Sequence, residues 1–366
     1  MSQESTPPEP LSVEPSINAA WGLPLQVLYC AHCHSAHLAP TDITLPACPT
    51  CLQDSLSSQP ERLRWEPPEL VVPFAISEES TAGFLAKWTQ GIRFRPDDLK
   101  PELLLRRIRR YYLPLWLVDG DIEATWQAEM GYDYQAATFR EQYVGAQWVS
   151  QEVTETRVRW EPRLGRLKRH YDNVAVPALE DHERWMSRLG GYDYRARKAY
   201  SARAMAGSAV RIPDQAPDVA WPDAESAFDG AAALECQAAS EAHHIRNWSM
   251  RAGYSNLNWT QMLAPTFVTY YREGEKVYPI WINGQSGHIS GAKQMSQRKA
   301  SVTSLIIGAV AVLLFLVGAL IALVGAVLVA PLAIGAILIV AGLLLGLIAP
   351  IPAMWVWFRN RSAAAL

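Results

Sequence analysis

Four cysteines near the start of the chain form two pairs with the same internal spacing. Cys30 and Cys33 make the first pair, Cys48 and Cys51 make the second, and fourteen residues separate the pairs. Two such pairs are typical of a zinc ribbon, in which two tight turns bring four thiolates into a tetrahedron around Zn²⁺. Four protein ligands leave no open position for water or substrate, so the predicted zinc is structural.

The sequence of the first pair also matches the motif of a c-type haem attachment site, because His34 follows Cys33 directly. The second pair is followed by Leu52 instead, and haem is attached outside the cytoplasm, where the topology inferred below does not place this segment. A reducing cytoplasm likewise disfavours a disulfide, although four unconnected buried thiols stay open. His32, His34 and His37 are alternative ligands, but we expect them on the surface of a short hairpin.

A second feature is the run from Ala300 to Phe358, 59 residues without Asp, Glu, Lys, Arg or His. One straight helix of that length would measure roughly 88 Å, about three times the ~30 Å hydrocarbon core of a bilayer. Two crossings are therefore predicted, near 302–328 and 332–349, with the turn at Val329-Ala330-Pro331. Gly342 and Gly346 form a GxxxG motif that would let the two helices approach closely.

The flanks of this run predict its orientation. Lys293, Arg298 and Lys299 precede it, Arg359 and Arg361 follow it, and the connecting turn has no charge. The positive-inside rule then places both termini in the cytoplasm. Residues 1–20 have no apolar segment that could serve as a signal peptide. We therefore expect a multi-pass protein of the inner (cytoplasmic) membrane.

The remaining sequence predicts an α+β fold in which an antiparallel sheet packs with helices, because short apolar strands joined by hairpin turns alternate with helical patterns. Asp119-Gly120, Glu273-Gly274 and Asn283-Gly284 are hairpin turn signals, and 224–248 is predicted as one long helix. We expect seven segments: a disordered tail (1–20), the zinc ribbon (21–55), a linker (56–68), an α+β soluble domain (69–292), a basic juxtamembrane stalk (293–300), a transmembrane helical hairpin (301–358) and a cytoplasmic tail (359–366).

Motifs for catalysis are missing from the sequence. It contains no recognised nucleophile motif, no HExxH and no phosphate-binding glycine loop. The fifth cysteine, Cys236, is expected to be a buried structural thiol. These features predict a protein that is not an enzyme.

Charge is distributed unevenly along the soluble part. Residues 157–211 carry 13 Lys or Arg against 6 Asp or Glu, a net of +7, and Arg106, Arg107, Arg109 and Arg110 form a second cluster. We expect these cations to be solvated or paired with the acidic stretch 214–241, and contact with anionic lipid is the alternative. The ribbon has no Lys or Arg between Trp21 and Glu61, which disfavours binding of nucleic acid by the ribbon.

Several stretches resemble the bacterial membrane-anchored zinc-ribbon proteins, often labelled transcription-factor-IIB-type or primosomal-protein-N′-like zinc ribbons. The matching residues lie outside the ribbon and are Pro73-Phe74, Leu113-Pro114-Leu115-Trp116 and Asn283-Gly284-Gln285-Ser286-Gly287, while 190–222 departs from the pattern. Members of that group are found beside phage-shock-protein-A-like and flotillin-like proteins. The resemblance implies a membrane recruiter whose partners belong to a membrane-stress or membrane-remodelling complex.

Together these patterns predict a non-enzymatic adaptor anchored in the inner membrane, which recruits a partner protein through the ribbon and the soluble domain. The expected partners are the lipid bilayer and a protein, with anionic lipid and a second copy of the chain as further candidates. The alternative is a membrane-tethered nucleic-acid-binding protein, which would need residues 157–211 to form a contiguous basic groove.

Overall fold

A computed structural model describes residues 17–59, 66–145, 147–324 and 329–363. Within these ranges the fold is α+β, as predicted, but the sheet is mixed and not purely antiparallel, because two of its strand pairs are parallel: Leu70–Val71 with Met262–Leu263, and Arg110–Tyr112 with Ser208–Val210. Its strands are β1 Leu25–Cys30, β2 Ala36–Pro40, β3 Leu56–Gln59, β4 Leu70–Val71, β5 Arg109–Val144, β6 Gln147–Pro177, β7 Lys198–Ala199, β8 Ser208–Arg211, β9 His244–Glu273, β10 Lys276–Asn283 and β11 Ile289–Gly291. The helices are α1 Ile17–Trp21, α2 Glu78–Thr89, α3 Pro101–Arg106, α4 His182–Leu189, α5 Ala202–Met205, α6 Trp221–Ala239, α7 Gln297–Val324, α8 Val329–Ile348 and α9 Ile351–Ala363.

The sheet is organised around three exceptionally long strands. β5 pairs with β6 from Leu115 to Val144, and on its other edge with β9 from Arg109 to Gly131. At ~3.3 Å per residue, the 36 residues of β5 correspond to roughly 120 Å of strand. The outer parts of these strands form a long arm that extends from the body.

The hairpin turn predicted at Asp119-Gly120 is wrong, because β5 runs through it with only a shift of register. Gly120 serves a different purpose. A Cβ at this position would lie 2.8 Å from Leu257 and 3.4 Å from Phe228, so the glycine makes room for side chains that cover the strand. β5 ends instead at Val144 and β6 begins at Gln147; between them Gly145 has φ +60°, and residue 146 lies outside the described residues.

Helix α6 covers the base of the arm through Ala224, Phe228, Ala232 and Cys236, which recur every four residues and are all buried. The prediction that Cys236 is buried is confirmed. The predicted helix 224–248 is wrong beyond Ala239, because the chain turns there and enters β9.

The turns predicted at 273–274 and 283–284 are confirmed. Gly274 adopts φ +61° between β9 and β10. At the end of β10, the side-chain oxygen of Asn283 accepts hydrogen bonds from the backbone N–H groups of Gln285 and Ser286, at 2.8 and 3.0 Å. An asparagine that bonds the following amides is a standard way to hold a tight turn.

The cysteine-bearing segment belongs to the same sheet as the body. β1 pairs with β2 and β3, and β2 pairs with β8, which lies beside β5. Residues 56–59, predicted as part of a linker, form β3, while 60–65 lie outside the described residues.

Two C-terminal helices are long and apolar enough to span a membrane, over Gln297–Val324 and Leu332–Arg361. Val329, Ala330 and Pro331, predicted as a turn, already belong to α8, whereas 325–328 lie outside the described residues. The chain breaks helix geometry only briefly near Pro350 and resumes as α9, so the second apolar segment continues past the predicted end.

Helices α7 and α8 run antiparallel in close contact, and glycines allow the approach. A Cβ on Gly318 would lie 2.8 Å from the carbonyl oxygen of Gly335, and one on Gly342 would lie 2.8 Å from that of Ala311. A Cβ on Gly346 would lie in open space, with no neighbouring atom within 4 Å. Of the predicted GxxxG pair, therefore, only Gly342 lies at the contact.

The segment predicted as a basic stalk is packed between the body and the helices. Gln294, Met295 and Ser296 are buried. The side chain of Asn360 accepts a hydrogen bond from Met295 N–H at 2.9 Å and donates one to Met295 C=O at 2.8 Å. Ser296 N–H donates to the carbonyl of Phe94 on the body at 2.7 Å. These contacts hold the apolar helices in a defined position on the body, and we call residues 294–296, Phe94 and Asn360 the junction.

Substituting Gly342 with leucine should destabilise the pairing of α7 and α8 by about 1–3 kcal/mol, because the new side chain meets backbone atoms that cannot move aside cheaply. Gly346→Leu is the matched control, since it places the same side chain on the same helix in open space. Thermal unfolding of the detergent-solubilised chain should show a lower midpoint for Gly342→Leu only. Equal midpoints for the two variants would contradict this packing.

Candidate metal centre

The two cysteine pairs adopt the same backbone conformation. The carbonyl of Cys30 accepts a hydrogen bond from His34 N–H at 2.9 Å, and the carbonyl of Cys48 accepts one from Leu52 N–H at 2.8 Å. His34 and Leu52 occupy equivalent positions and have positive φ of 59° and 60°. Neither is a glycine, so each turn holds an uncommon backbone conformation that its surroundings must stabilise.

A second hydrogen bond also repeats. Cys30 N–H donates to the carbonyl of Ser35, and Cys48 N–H donates to that of Gln53, both at 3.0 Å. The first turn joins β1 to β2, so those strands fix its position, and the second turn leads into β3. Two matching turns that face each other are the arrangement in which thiols from both can converge on one ion.

The four sulfurs do converge. All four Sγ atoms lie within 4.8 Å of one another. The distances Cys30 Sγ–Cys51 Sγ and Cys33 Sγ–Cys48 Sγ are both 3.6 Å. A tetrahedral ion with metal–sulfur bonds of about 2.3 Å would hold its ligands about 3.8 Å apart, close to these values. All four cysteines are free thiols, so among the described residues they form a cluster able to bind a metal ion and not a disulfide.

The four thiols would need a bound cation in order to ionise together. Burial works against ionisation at Cys30, but hydrogen bonds from the Ser55 hydroxyl and from backbone N–H groups outweigh it and lower the pKa of the thiol to about 6. Burial raises the pKa of Cys48 and Cys51. Four sulfurs packed this closely can all ionise only if a positive ion offsets their mutual repulsion.

A buried histidine lies directly behind the sulfurs. His37 on β2 is fully buried, with Nε2 3.4 Å from Cys48 Sγ and 2.9 Å from the hydroxyl of Ser35. Its other nitrogen, Nδ1, lies 2.7 Å from the hydroxyl of Tyr111 on β5. Burial, helped by the charge of Arg211, lowers the pKa of His37 to about 3, so the ring is neutral.

The proton positions follow from these contacts. Burial raises the pKa of Tyr111, so its O–H stays protonated and is available to donate to His37 Nδ1. Nε2 then carries the imidazole proton and points it toward the Cys48 sulfur and Ser35. A donor directed at a ligating sulfur fixes the ligand and stabilises its negative charge.

The three neighbouring histidines thus lie in different surroundings. His32 and His34 are exposed, as predicted, and His34 Nδ1 bonds the hydroxyl of Tyr29 at 2.7 Å. The prediction for His37 is wrong. β2 is an inner strand between β1 and β8, and its residues from His37 to Pro40 are all buried, so both faces of this strand are covered.

Sequence patterns did not indicate Ser35, Ser55 or Tyr111 as part of this centre. Ser35 and Ser55 lie 3.0 Å and 2.9 Å from the sulfurs of Cys33 and Cys30. Ser35 follows its cysteine by only two residues and could have been suspected from proximity. Tyr111 is 74 residues from His37 in the chain, so only the pairing of distant strands reveals it.

The centre is joined to the body where β2 meets β8. His37 lies opposite Arg211 in that strand pair. The Arg211 guanidinium is nearly buried and pairs with Asp181 at 3.2 Å and with Asp214 at 2.8 Å. A buried charge needs such partners, so this group of charges also holds β8 in place beside the ribbon strands.

Comparisons of this chain with protein-family models, with curated proteins and with solved structures give no match. The resemblance to membrane-anchored zinc-ribbon proteins therefore rests on the quoted motifs alone. A function has to be argued from the geometry of the chain itself.

Replacing Cys30 or Cys48 with serine should abolish binding of one metal ion per chain, because a hydroxyl is a poor substitute for a thiolate ligand. Cys236→Ser is the matched control, since this buried thiol lies outside the cluster. Elemental analysis of the purified full chains should give one equivalent for the control and far less for the other two. Retention of the ion in Cys48→Ser would contradict the four-sulfur assignment.

Tyr111→Phe should weaken metal retention about 10–100-fold, because removing the hydroxyl leaves His37 Nδ1 buried without its partner and loosens the imidazole behind Cys48. Tyr29→Phe is the control, since it removes a hydroxyl that bonds the exposed His34. A competition titration with a chromogenic chelator measures both. Equal metal affinities for the two variants would show that His37 does not support the ligand.

Proposed function

We propose that this chain is a non-enzymatic adaptor, anchored in the cytoplasmic membrane by α7 and α8, that presents its ribbon and sheet to a partner protein. The observation that supports this most directly is the arrangement at the junction. Two strongly apolar helices leave the body at the junction and are fastened there, whereas in the strand order of the sheet the ribbon strands β1, β2 and β3 lie at the end opposite β11, the strand that precedes the junction.

The surface of the two helices favours a bilayer. Leu305 and Leu347 are each 74% exposed, and most other large apolar side chains on α7 and α8 are also exposed. Exposure of apolar surface to water costs about 25 cal/mol per Å², so a pair of helices covered in leucine, valine and isoleucine belongs in lipid.

The charges at the junction support the orientation. α9 packs beside the start of α7, where Ala353 N–H donates to the hydroxyl of Ser304 at 3.1 Å. The cations before and after the apolar run therefore gather at one end of the helix pair. The positive-inside rule favours placing this end, and with it the body, in the cytoplasm.

The ion in the cysteine cluster is zinc in this proposal. Four thiolates in a near-tetrahedral set suit Zn²⁺, and a closed set of four protein ligands gives the ion a structural role. The ribbon strands are short, and the ion would hold their two turns together.

The partner is a protein in this proposal. The resemblance noted above points to a phage-shock-protein-A-like or flotillin-like complex. The exposed rim of the second turn, which includes Gln53 and Asp54, carries no cation of its own and would be the docking surface, while Arg106 and Arg109 line a pocket with Pro49 and Leu52 beside it. The exposed Arg106 and Arg109, close to the junction along the chain, suit anionic lipid as a secondary contact.

Binding of nucleic acid has less support. Most cations of β6 face carboxylates of the same chain: Arg157 pairs with Glu155, Arg163 with Glu161, and Lys168 with Glu123. Pairs of this kind reduce the charge available to phosphates and favour solvated faces over a basic groove.

Affinity purification of the full chain in mild detergent tests the adaptor role. A Gln53→Lys, Asp54→Lys variant keeps all four thiols but reverses the charge of the rim, so it should lose the copurifying protein while it keeps its metal. Glu275→Lys, an exposed substitution in the turn between β9 and β10, is the control and should retain both.

Two further measurements complete this test. The chain should remain in the membrane fraction after extraction with alkaline carbonate, and its amino-terminal part should be protected from protease in right-side-out vesicles. Recovery of the same proteins with the rim variant and with the control would contradict recruitment by the ribbon. A chain released by carbonate would contradict the anchor.

A further inference from the structure

The outer end of the arm lacks the third strand. β9 begins at His244, opposite Gly131, so beyond this point only β5 and β6 continue. They form 13 residue pairs, from Tyr132–Arg159 to Val144–Gln147. At ~3.4 Å per residue this two-stranded part is roughly 44 Å long. We call residues 132–144 and 147–159 the arm tip.

The arm tip has no core of its own. Phe139 and Trp148 are each 69% exposed, and the rings of Tyr143, also largely exposed, and Trp148 contact each other with their centroids 5.3 Å apart. A two-stranded ribbon is marginally stable in water unless another layer or strand supports it. An arm tip of this length with exposed aromatic rings therefore calls for a partner.

The strand edges indicate how that partner is bound. Among the described residues, no strand pairs with the outer edge of β6, and none pairs beyond Gly131 with the edge of β5 that faces away from β6. Between 157 and 169, β6 carries six Lys or Arg, which protect an exposed edge from pairing with other strands. Between 147 and 154 it reads QWVSQEVT, with Glu152 as the single charge. The unprotected edge is confined to the arm tip.

The directions of the strands favour a second copy of the same chain. Arg107, just before β5, bonds Asp98 at 2.6 Å, and the neighbouring Asp97 bonds Lys299 at the start of α7, also at 2.6 Å. β5 therefore starts near the junction and runs away from it, and β6 returns. Copies anchored in one membrane all have β5 running away from the membrane and β6 returning toward it. When two copies lie side by side, β6 of one copy therefore runs antiparallel to β5 of the next, and equivalent residues lie at the same distance from the membrane.

We infer that the arm tips assemble chains head to tail, with the free edge of β6 in one copy pairing with the free edge of β5 in the next. Such a contact uses two different surfaces, so it repeats from copy to copy and closes into a ring where the rotation permits. The common orientation of the copies rests on the membrane anchoring proposed above.

The size of the detergent-solubilised full chain tests this inference first. The unmodified chain should elute as an oligomer in size-exclusion chromatography with light scattering. Val149→Lys with Val153→Lys places two cations on one face of the unprotected edge and should shift the population to the monomer. Leu164→Lys is the matched control, because Leu164 is 85% exposed on the same strand but lies in its protected part; this variant should keep the oligomer.

Cysteine cross-linking tests the direction of pairing. Chains with Thr138→Cys and chains with Val153→Cys, each with its own tag, are coexpressed and oxidised in membranes. Thr138 and Val153 are paired within one chain. In neighbouring copies that lie at the same distance from the membrane, Thr138 of one copy should lie opposite Val153 of the next. The mixture should form a cross-linked dimer that contains both tags, whereas either variant expressed alone should not.

The outcomes separate the two proposals. A monomeric unmodified chain, an oligomer that survives the two lysines, or equal cross-linking in the single variants would overturn the head-to-tail arm. A chain that assembles through the arm but is released from membranes by carbonate would keep this inference and contradict the anchor.

Discussion

Continuous backbone pairing along β5 is the constraint on which the rest of the structure depends. One edge of this strand pairs with β9, and the other pairs with β8 and then with β6. Backbone hydrogen bonds to this one strand therefore connect the body, the arm and, through β8, the ribbon strands. Because the side-chain period of a strand is two, a slip of one residue would turn Tyr111 away from His37 and Ile122 away from α6. The metal centre and the base of the arm are therefore fixed by the same register.

Local signals predicted the parts of the fold that depend on near neighbours. The paired cysteines, the apolar C-terminal helices and the Gly274 and Asn283 turns are encoded within a few residues each, and the structure contains all of them. The arm was missed because Asp119-Gly120 has the composition of a tight turn, while long-range pairing with β6 and β9 keeps the strand extended. The end of α6 and the burial of His37 depend on β5 as well, and no short window of sequence contains that information.

The metal centre is connected to the body through side chains as well as backbone. The line from the Cys48 sulfur through His37 to Tyr111 crosses from the ribbon strands into β5, and Arg211 with its two carboxylates lies beside it. A ribbon of this kind is not a module on a flexible tether. Loss of the ion would be felt at β8 and β5, because the imidazole would then face an unneutralised or reprotonated group of thiols in a dry site.

The contacts between Asn360 and Met295 carry a mechanical consequence. They tie the start of α7 to α9, and the hydrogen bond from Ser296 N–H to the Phe94 carbonyl fastens this end of the helix pair to the body, so the soluble part follows the orientation of those helices. Helices respond to bilayer thickness by changing their tilt. For the membrane anchor proposed above, the three-stranded part of β5 from Arg109 to Gly131, roughly 76 Å long at ~3.3 Å per residue, would act as a lever, and a tilt of about 10° would move its far end through about 13 Å. In that proposal a small change in lipid thickness would be magnified into a larger displacement away from the membrane.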